Sequence, residues 1–174
     1  IQDAQRQICE ILDLDRSTLM QVPPDEPGTM RMTHVHTPSE TPPIPAQMDM
    51  RDFIPWALQR LLRGETLAVA RLAALPPEAA RDRESLQHYG TKAVVAVPLV
   101  ADGVVVGALS FAAIRTERAW PDEVVRGFRI VAEMIANAFT KYAVKEKKIR
   151  EWALICVYTD YGLGSVDALS KNES

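Results

Sequence analysis

The stretch TKAVVAVPLVADGVVVGALSFAAI, Thr91 to Ile114, limits what this chain can fold into more than any other part of it. Val94, Val95, Val97, Leu99 and Val100 run almost without alternation, and so do Val104, Val105, Val106, Leu109 and Phe111. Between them Asp102 and Gly103 supply turn chemistry, with glycine free to take positive φ. Two strands that are apolar on both faces require cover on both faces, so the hairpin is expected in the interior of an antiparallel sheet. Pro98 has no N–H to donate, so its position must fall at an edge, a bulge or a site outside the ladder.

Helices for that cover lie at both ends of the chain. IQDAQRQICEILDLD places Ile1, Ala4, Ile8, Ile11 and Leu12 at helical spacing, as though a helix were already under way in a longer protein. From Pro121 to about Arg150 the spacing predicts the longest helix, with Pro121, Asp122 and Glu123 suited to its first turn and lysines gathered near its other end. Val124, Phe128, Val131, Ile135, Ala138 and Tyr142 recur every three or four residues along it.

Between the terminal helices, RSTLMQV and MRMTHVHT read as strands, the second with Met30, Met32, His34 and His36 on one face. PSETPPIPAQMD is too rich in proline for a helix or a central strand and reads as a surface loop. PWALQRLLRGE predicts a helix ended by Gly64, TLAVARL a short strand, and PPEAARDRESLQHYG a helix that stops at Gly90. Residues 1–150 are thus expected to form one domain. Residues 151–174 read as a linker or an appended tail without regular order, or as a continuation of the last helix.

A chain of 174 residues can bury a core large enough to need no disulfide or metal staple. Its net charge of −3 argues against a nucleic-acid surface. No apolar run is long enough to span a bilayer and no signal peptide opens it. Cys9 and Cys156 are far apart, with no metal or redox spacing, which points to a reducing compartment, the cytoplasm. Cys9, beside Ile8 and Leu12, reads as a buried, inert thiol.

The segments VAVPLVADGVVVGALSF and RAWPDEVVRGFRIVAEMIANAF resemble the second half of a GAF domain: a strand ending in Val-Pro-Leu, a glycine turn, Val-x-Gly-x-Leu, then an amphipathic closing helix. Upstream, DRSTLMQV, PWALQRLLRGE and LAALPPEAARDRESLQHYGTKAVVAVPL resemble the GAF modules of bacterial sensor kinases and transcriptional activators, so the likeness covers about Ile1 to Tyr142. The resemblance implies an α+β fold: a central antiparallel sheet, the N- and C-terminal helices on one face, and short helices and loops roofing a pocket on the other. It further implies a homodimer, an unidentified small-molecule ligand, and an output domain, kinase or transcription-activating, in the full-length protein. No motif names a cofactor.

Five residues are candidate ligand contacts under that resemblance. His34 lies on the strand that runs toward the pocket rim. Phe53 and Trp56 stand where the roof is expected, although an indole there serves equally as core. Arg71, at the end of LAVAR, carries a fork of donors suited to a carboxylate or phosphate, and equally to a nearby acid or to solvent. Ser110 is the rare hydroxyl in an apolar strand and needs a backbone or ligand partner. His34 and His36 could both face one metal, but no third ligand accompanies them. Arg81, Asp82, Arg83 and Glu84 read as a solvated face of mixed charge. The candidate dimer seam is Val131, Ile135, Ala138 and Tyr142, which packing onto the domain's own sheet would also explain.

Three functional classes remain. The leading one is a non-catalytic sensory module. The others are a ligand-free dimerisation scaffold and a redox enzyme on the same fold, which the two cysteine positions disfavour. The bilin-binding kind of GAF domain needs a cysteine near its chromophore, and Cys9 and Cys156 both fall outside the expected pocket region.

Overall fold

The computed structural model describes residues 2–37, 44–45 and 48–145; the side chains of Gln2, Ala4 and residues 139–145 fall outside that description. The proline-rich stretch 38–43, most of the end of the long helix's expected span (146–150) and the tail 151–174 therefore lie outside the described residues.

The chain begins with α1 (Gln2–Ile11), then β1 (Arg16–Gln21) and β2 (Arg31–His36). Two short helices follow, α2 (Met50–Phe53) and α3 (Pro55–Leu62), then β3 (Leu67–Val69). Two 3-10 turns, Leu72–Ala74 and Pro77–Ala79, lead into α4 (Ala80–His88). The hairpin β4 (Ala93–Ala101) and β5 (Val104–Ala113) precedes α5 (Asp122–Lys145). The five strands form one antiparallel sheet in the order β2-β1-β5-β4-β3.

The hairpin is interior, as its composition demands. Ala101 pairs with Val104 across a two-residue turn in which Asp102 and Gly103 both have positive φ, the geometry whose twist matches that of the flanking strands. Pro98 lies past the end of β3, which pairs only with Val94 to Ala96, so its missing donor faces an open edge.

The two faces of the sheet differ in side-chain size and in polarity. Leu19, Leu109 and Val97 form one cross-strand row, and Phe111 pairs with Val95 in the next. These large residues fill the space beneath α1 and α5, together with Cys9, Phe128, Ala132 and Ala136. The two alanines, at i+4 and i+8 from Phe128, let α5 come close to the strands. The opposite face has Thr18, Ser110 and Ala96 in one row and Arg16, Ala112 and Val94 in the next. Small residues there cannot fill the gap beneath α2, α3 and α4. The sequence therefore builds a tight core on one side and leaves room on the other.

Candidate functional site

That room is a cavity of about 70 Å³ between the small-residue face and the roof. Its floor is Arg16, Thr18, Ser110 and Ala112, alternate residues of β1 and β5. Its roof includes Met50, Phe53, Trp56 and Leu61 from α2 and α3. Most of the wall is apolar, and the methionines Met20, Met32 and Met50 give it a surface that can adapt its shape.

Three of the five candidate contacts meet here: Phe53, Trp56 and Ser110 all line the cavity. Trp56 also packs against the Leu72, Leu75 and Ala79 cluster, and the Arg60 guanidinium sits 4.5 Å from its ring centre. It is a wall and a core residue at once. The other two candidates lie elsewhere. Leu19 pairs with His34 but Met20 pairs with Met32, so Thr33 is an extra residue in β2. This bulge breaks the simple alternation and turns His34 onto the face of Leu19, beneath the terminal helices and away from Met32. The shared face expected for Met32 and His34 is thereby corrected. Arg71 falls outside β3, which ends at Val69; it is exposed and precedes the first 3-10 turn, so it does not reach the cavity.

Two charged residues outside the five candidates, Arg16 and Asp82, line the cavity instead. Arg16, at the start of β1, is 5% exposed and lies on the floor. Its Nη2 donates to the Tyr89 carbonyl at 2.9 Å and its Nη1 to Thr91 Oγ1 at 3.2 Å. Burial pulls its basicity down, against the opposing fields of Asp15 and Tyr89, but a guanidinium stays charged. Asp82, expected on a solvated face, is 1% exposed. Its Oδ1 accepts from Trp56 N–H at 3.1 Å and its Oδ2 from Ala57 N–H at 2.8 Å, so α4 caps the start of α3, where Ile54 has no capping side chain. Burial pushes the Asp82 carboxyl up, with the hydrogen bonds from Ala57 and Trp56 opposing. Arg83 is likewise used internally, donating to the carbonyls of Leu72 and Leu75.

On the opposite face Cys9 is buried, and desolvation, with Asp15 and Glu10 nearby, pushes its thiol up to about 11. The sheet separates it from the cavity. Cys156 lies outside the described residues. No group of three or more metal-ligating side chains occurs among the described residues. No helix among them is long and apolar enough to cross a membrane.

With the sheet order, the terminal helices and the roofed cavity established, comparison with known proteins gives the same answer as the motifs. The GAF domain family matches residues 1–139, four-fifths of the chain. The chain belongs to the GAF domain family. Among solved structures, the phycocyanobilin-bound GAF domain from a cyanobacterial phytochrome superposes with a TM-score of 0.69 at 16% identity, covering 83% of this chain and 85% of that one. GAF3 of Slr1393 from Synechocystis sp. PCC6803, in its photoproduct state, gives 0.68 at 15% identity, covering 83% and 94%. A domain of a protein assigned as a two-component sensor histidine kinase from Sinorhizobium meliloti 1021 gives 0.60 at 17% identity, covering 83% and 92%. At these identities the likeness is one of fold. A search of the curated proteins finds no match.

In this GAF domain the terminal helices also present a surface. Val131 and Ile135 are partly buried and pack against the core beneath α5, which makes them inward-facing residues. Ala138 is exposed, and the Tyr142 side chain lies outside the description. Among the described side chains of α5, the large apolar ones turned outward are Ile130, 53% exposed, and Met134, 68% exposed. On α1, Ile11 is 80% exposed instead of joining the buried stripe, whose place is taken by Gln5 and Cys9.

Proposed function

We propose that this GAF domain is a non-catalytic regulatory module that binds a small molecule in the cavity and reports it through α1 and α5 to a second copy and an output domain. The observation that carries the proposal is the division of the sheet: alternate residues of β1 and β5 face the cavity on one side and α1 and α5 on the other. A ligand that prefers one arrangement of the strands necessarily biases the helices packed on their reverse, by its difference in affinity for the two states. Membership of a two-component system is supported by the kind of protein that carries the sensor-kinase domain of similar fold.

A linear tetrapyrrole, as in the phycocyanobilin-bound relative, is a poor occupant. Cys9 stands on the wrong face of the sheet to anchor a chromophore. A redox enzyme is disfavoured by the same position and by the suppressed thiolate of Cys9. The second reading, a ligand-free scaffold, rests on the exposed Ile11, Ile130 and Met134, which suit a dimer whether or not the cavity is filled.

Native and then denaturing mass spectrometry of the purified protein separates the two. A mass excess that disappears on denaturation supports the sensor. If the native mass carries no excess, and neither a metabolite extract nor a library of small organic molecules adds one, the scaffold reading replaces it.

A further inference from the structure

The polar edge of the cavity identifies the class of molecule it takes, given that it takes one. Arg16 carries a buried positive charge whose acceptors are all neutral: the Tyr89 carbonyl, Thr91 Oγ1, and Thr37 Oγ1 at 3.4 Å from Nε. No carboxylate among the described residues is bonded to it. Asp15 precedes it on the chain but is bound to the backbone N–H groups of Ile114 and Arg115 and to the Arg115 guanidinium. Asp82, the acid in the cavity wall, gives one oxygen each to Trp56 and Ala57. A guanidinium taken out of water without an anion is costly, and its fork of donors matches a carboxylate.

Two further donors stand one pleat away. Thr18 and Ser110 are direct partners across β1 and β5, and both line the cavity. Thr18 is 5% exposed and Ser110 is half-buried. Two hydroxyls facing the cavity beside a buried guanidinium that no described carboxylate bonds form an anion-binding edge. Apart from Thr91 and Asp82, whose oxygens are taken by Trp56 and Ala57, the rest of the wall, including Met20, Met32 and Leu61, is apolar.

We infer that the cavity takes a small monocarboxylic acid with an apolar tail, its carboxylate on Arg16, Thr18 and Ser110 and its tail among Met20, Met32 and Leu61. Inorganic phosphate has no tail to bury and would bring a second charge into the apolar wall. This inference rests on the proposed sensor role, since an empty scaffold would have no ligand.

The experiment pairs each acid with its neutral isostere: butyrate, isovalerate and benzoate against butyramide, isovaleramide and benzamide, with inorganic phosphate as a third arm, by calorimetry and thermal denaturation at pH 7. At least one acid is expected to bind tenfold or more tightly than its amide and to raise Tm with concentration. Arg16→Met should remove the preference and leave acid and amide equally weak, and Ser110→Ala should weaken the acid several-fold. An amide that binds as well as its acid overturns the carboxylate assignment while leaving a small-molecule sensor intact. Stabilisation by phosphate with none by any acid also overturns it, in favour of a free anion. If no acid and no phosphate binds, the inference fails; the mass measurement above then decides separately whether the cavity holds some other molecule. Should Arg16→Met not fold, the acid–amide comparison on the unaltered protein decides alone.

Discussion

The ring of Phe111 on β5 stacks on that of Phe128 on α5, with centroids 4.3 Å apart and planes 20° from parallel. Both side chains are buried, and the residues flanking Phe111, Ser110 and Ala112, line the cavity on the reverse of the same strand. The pair is therefore the most direct packed link between the cavity floor and the helix that leads out of the domain. Phe128→Ala is expected to destabilise the fold by about 3–5 kcal/mol, as aromatic truncation in a filled core does. Urea denaturation checks this: the midpoint should fall with little change in slope. A loss under about 1 kcal/mol would mean that α5 is not anchored here.

A second prediction concerns the approach of β1 to β5. A Cβ placed on Gly107 would meet the Met20 carbonyl oxygen at 2.3 Å, with the Gln21 Cα and a Leu99 methyl at 3.3 Å. Backbone cannot swing aside as a flexible side chain can. Gly107→Ala should thus force the strands apart and cost about 1–3 kcal/mol or more. Hydrogen exchange provides the local readout, with lost protection expected in β1 and β5 and little change in α3 and α4. Unchanged protection and stability would show that β1 accommodates the methyl group.

These two sites also show how far the sequence was legible. The hairpin, its Asp102-Gly103 turn and the closing helix could be read because each has a strong local cause: an apolar run, a glycine at positive φ, a four-and-three stripe. What polarity patterns hid was size. Both faces of β4 and β5 are apolar, but one carries Val95, Val97, Leu109 and Phe111 and the other Ala96, Ala108 and Ala112, and only that contrast announces a cavity. Phe53, Trp56 and Ser110 were legible as cavity residues through the family resemblance. His34 was not, because a single extra residue at Thr33 reverses every side chain after it. The arginine that lines the cavity is Arg16, at the start of β1, and not Arg71 at the end of LAVAR. Nothing local marks Arg16, since its partners Tyr89 and Thr91 are more than 70 residues away.

Asp82 yields a third prediction. Its two oxygens satisfy two backbone donors at the start of α3, a helix that has no cap of its own. Asp82→Ala leaves both donors buried without an acceptor and should cost about 1–3 kcal/mol. Because α3 and α4 form the roof, the loss should come with faster exchange of amides in α3. If α3 keeps its protection in Asp82→Ala, the carboxylate is not what holds the helix start.

A fourth prediction follows from Asp49, which caps α2. The Arg51 guanidinium, then the Thr29 hydroxyl at 2.6 Å and the Arg51 N–H at 2.9 Å, hold its carboxyl well below the usual 3.8, although burial opposes them. Glu26 pairs with the same guanidinium. The folded state therefore binds this proton less readily than the unfolded state, so the stabilisation is complete above pH 3.8 and is lost as pH falls through the lowered folded value. Asp49→Asn should flatten the acid side of the Tm-against-pH curve between about pH 4 and 2 while changing its neutral side less. Parallel acid limbs in the two proteins would exclude Asp49 as the group responsible.

The last prediction tests the dimer. Ile130 and Met134 are one turn apart on α5 and both point outward, and Gly127, a turn earlier, has open space around its Cα. Val131 and Ile135 pack on the domain's own core, so among the described residues of α5 the outward pair is the apolar surface open to a second copy. Ile130→Lys with Met134→Lys places two like charges on that stripe of each copy. A dimer built on it should dissociate by at least tenfold in Kd, while the isolated domain keeps its stability to within about 0.5 kcal/mol per exposed site. Sedimentation equilibrium gives the first quantity and urea denaturation the second. Changing Val131 and Ile135 instead should destabilise the fold before it alters association. If the double lysine variant sediments as the parent does, the outward face of α5 is not the contact, and helix-borne relay between copies loses its structural basis.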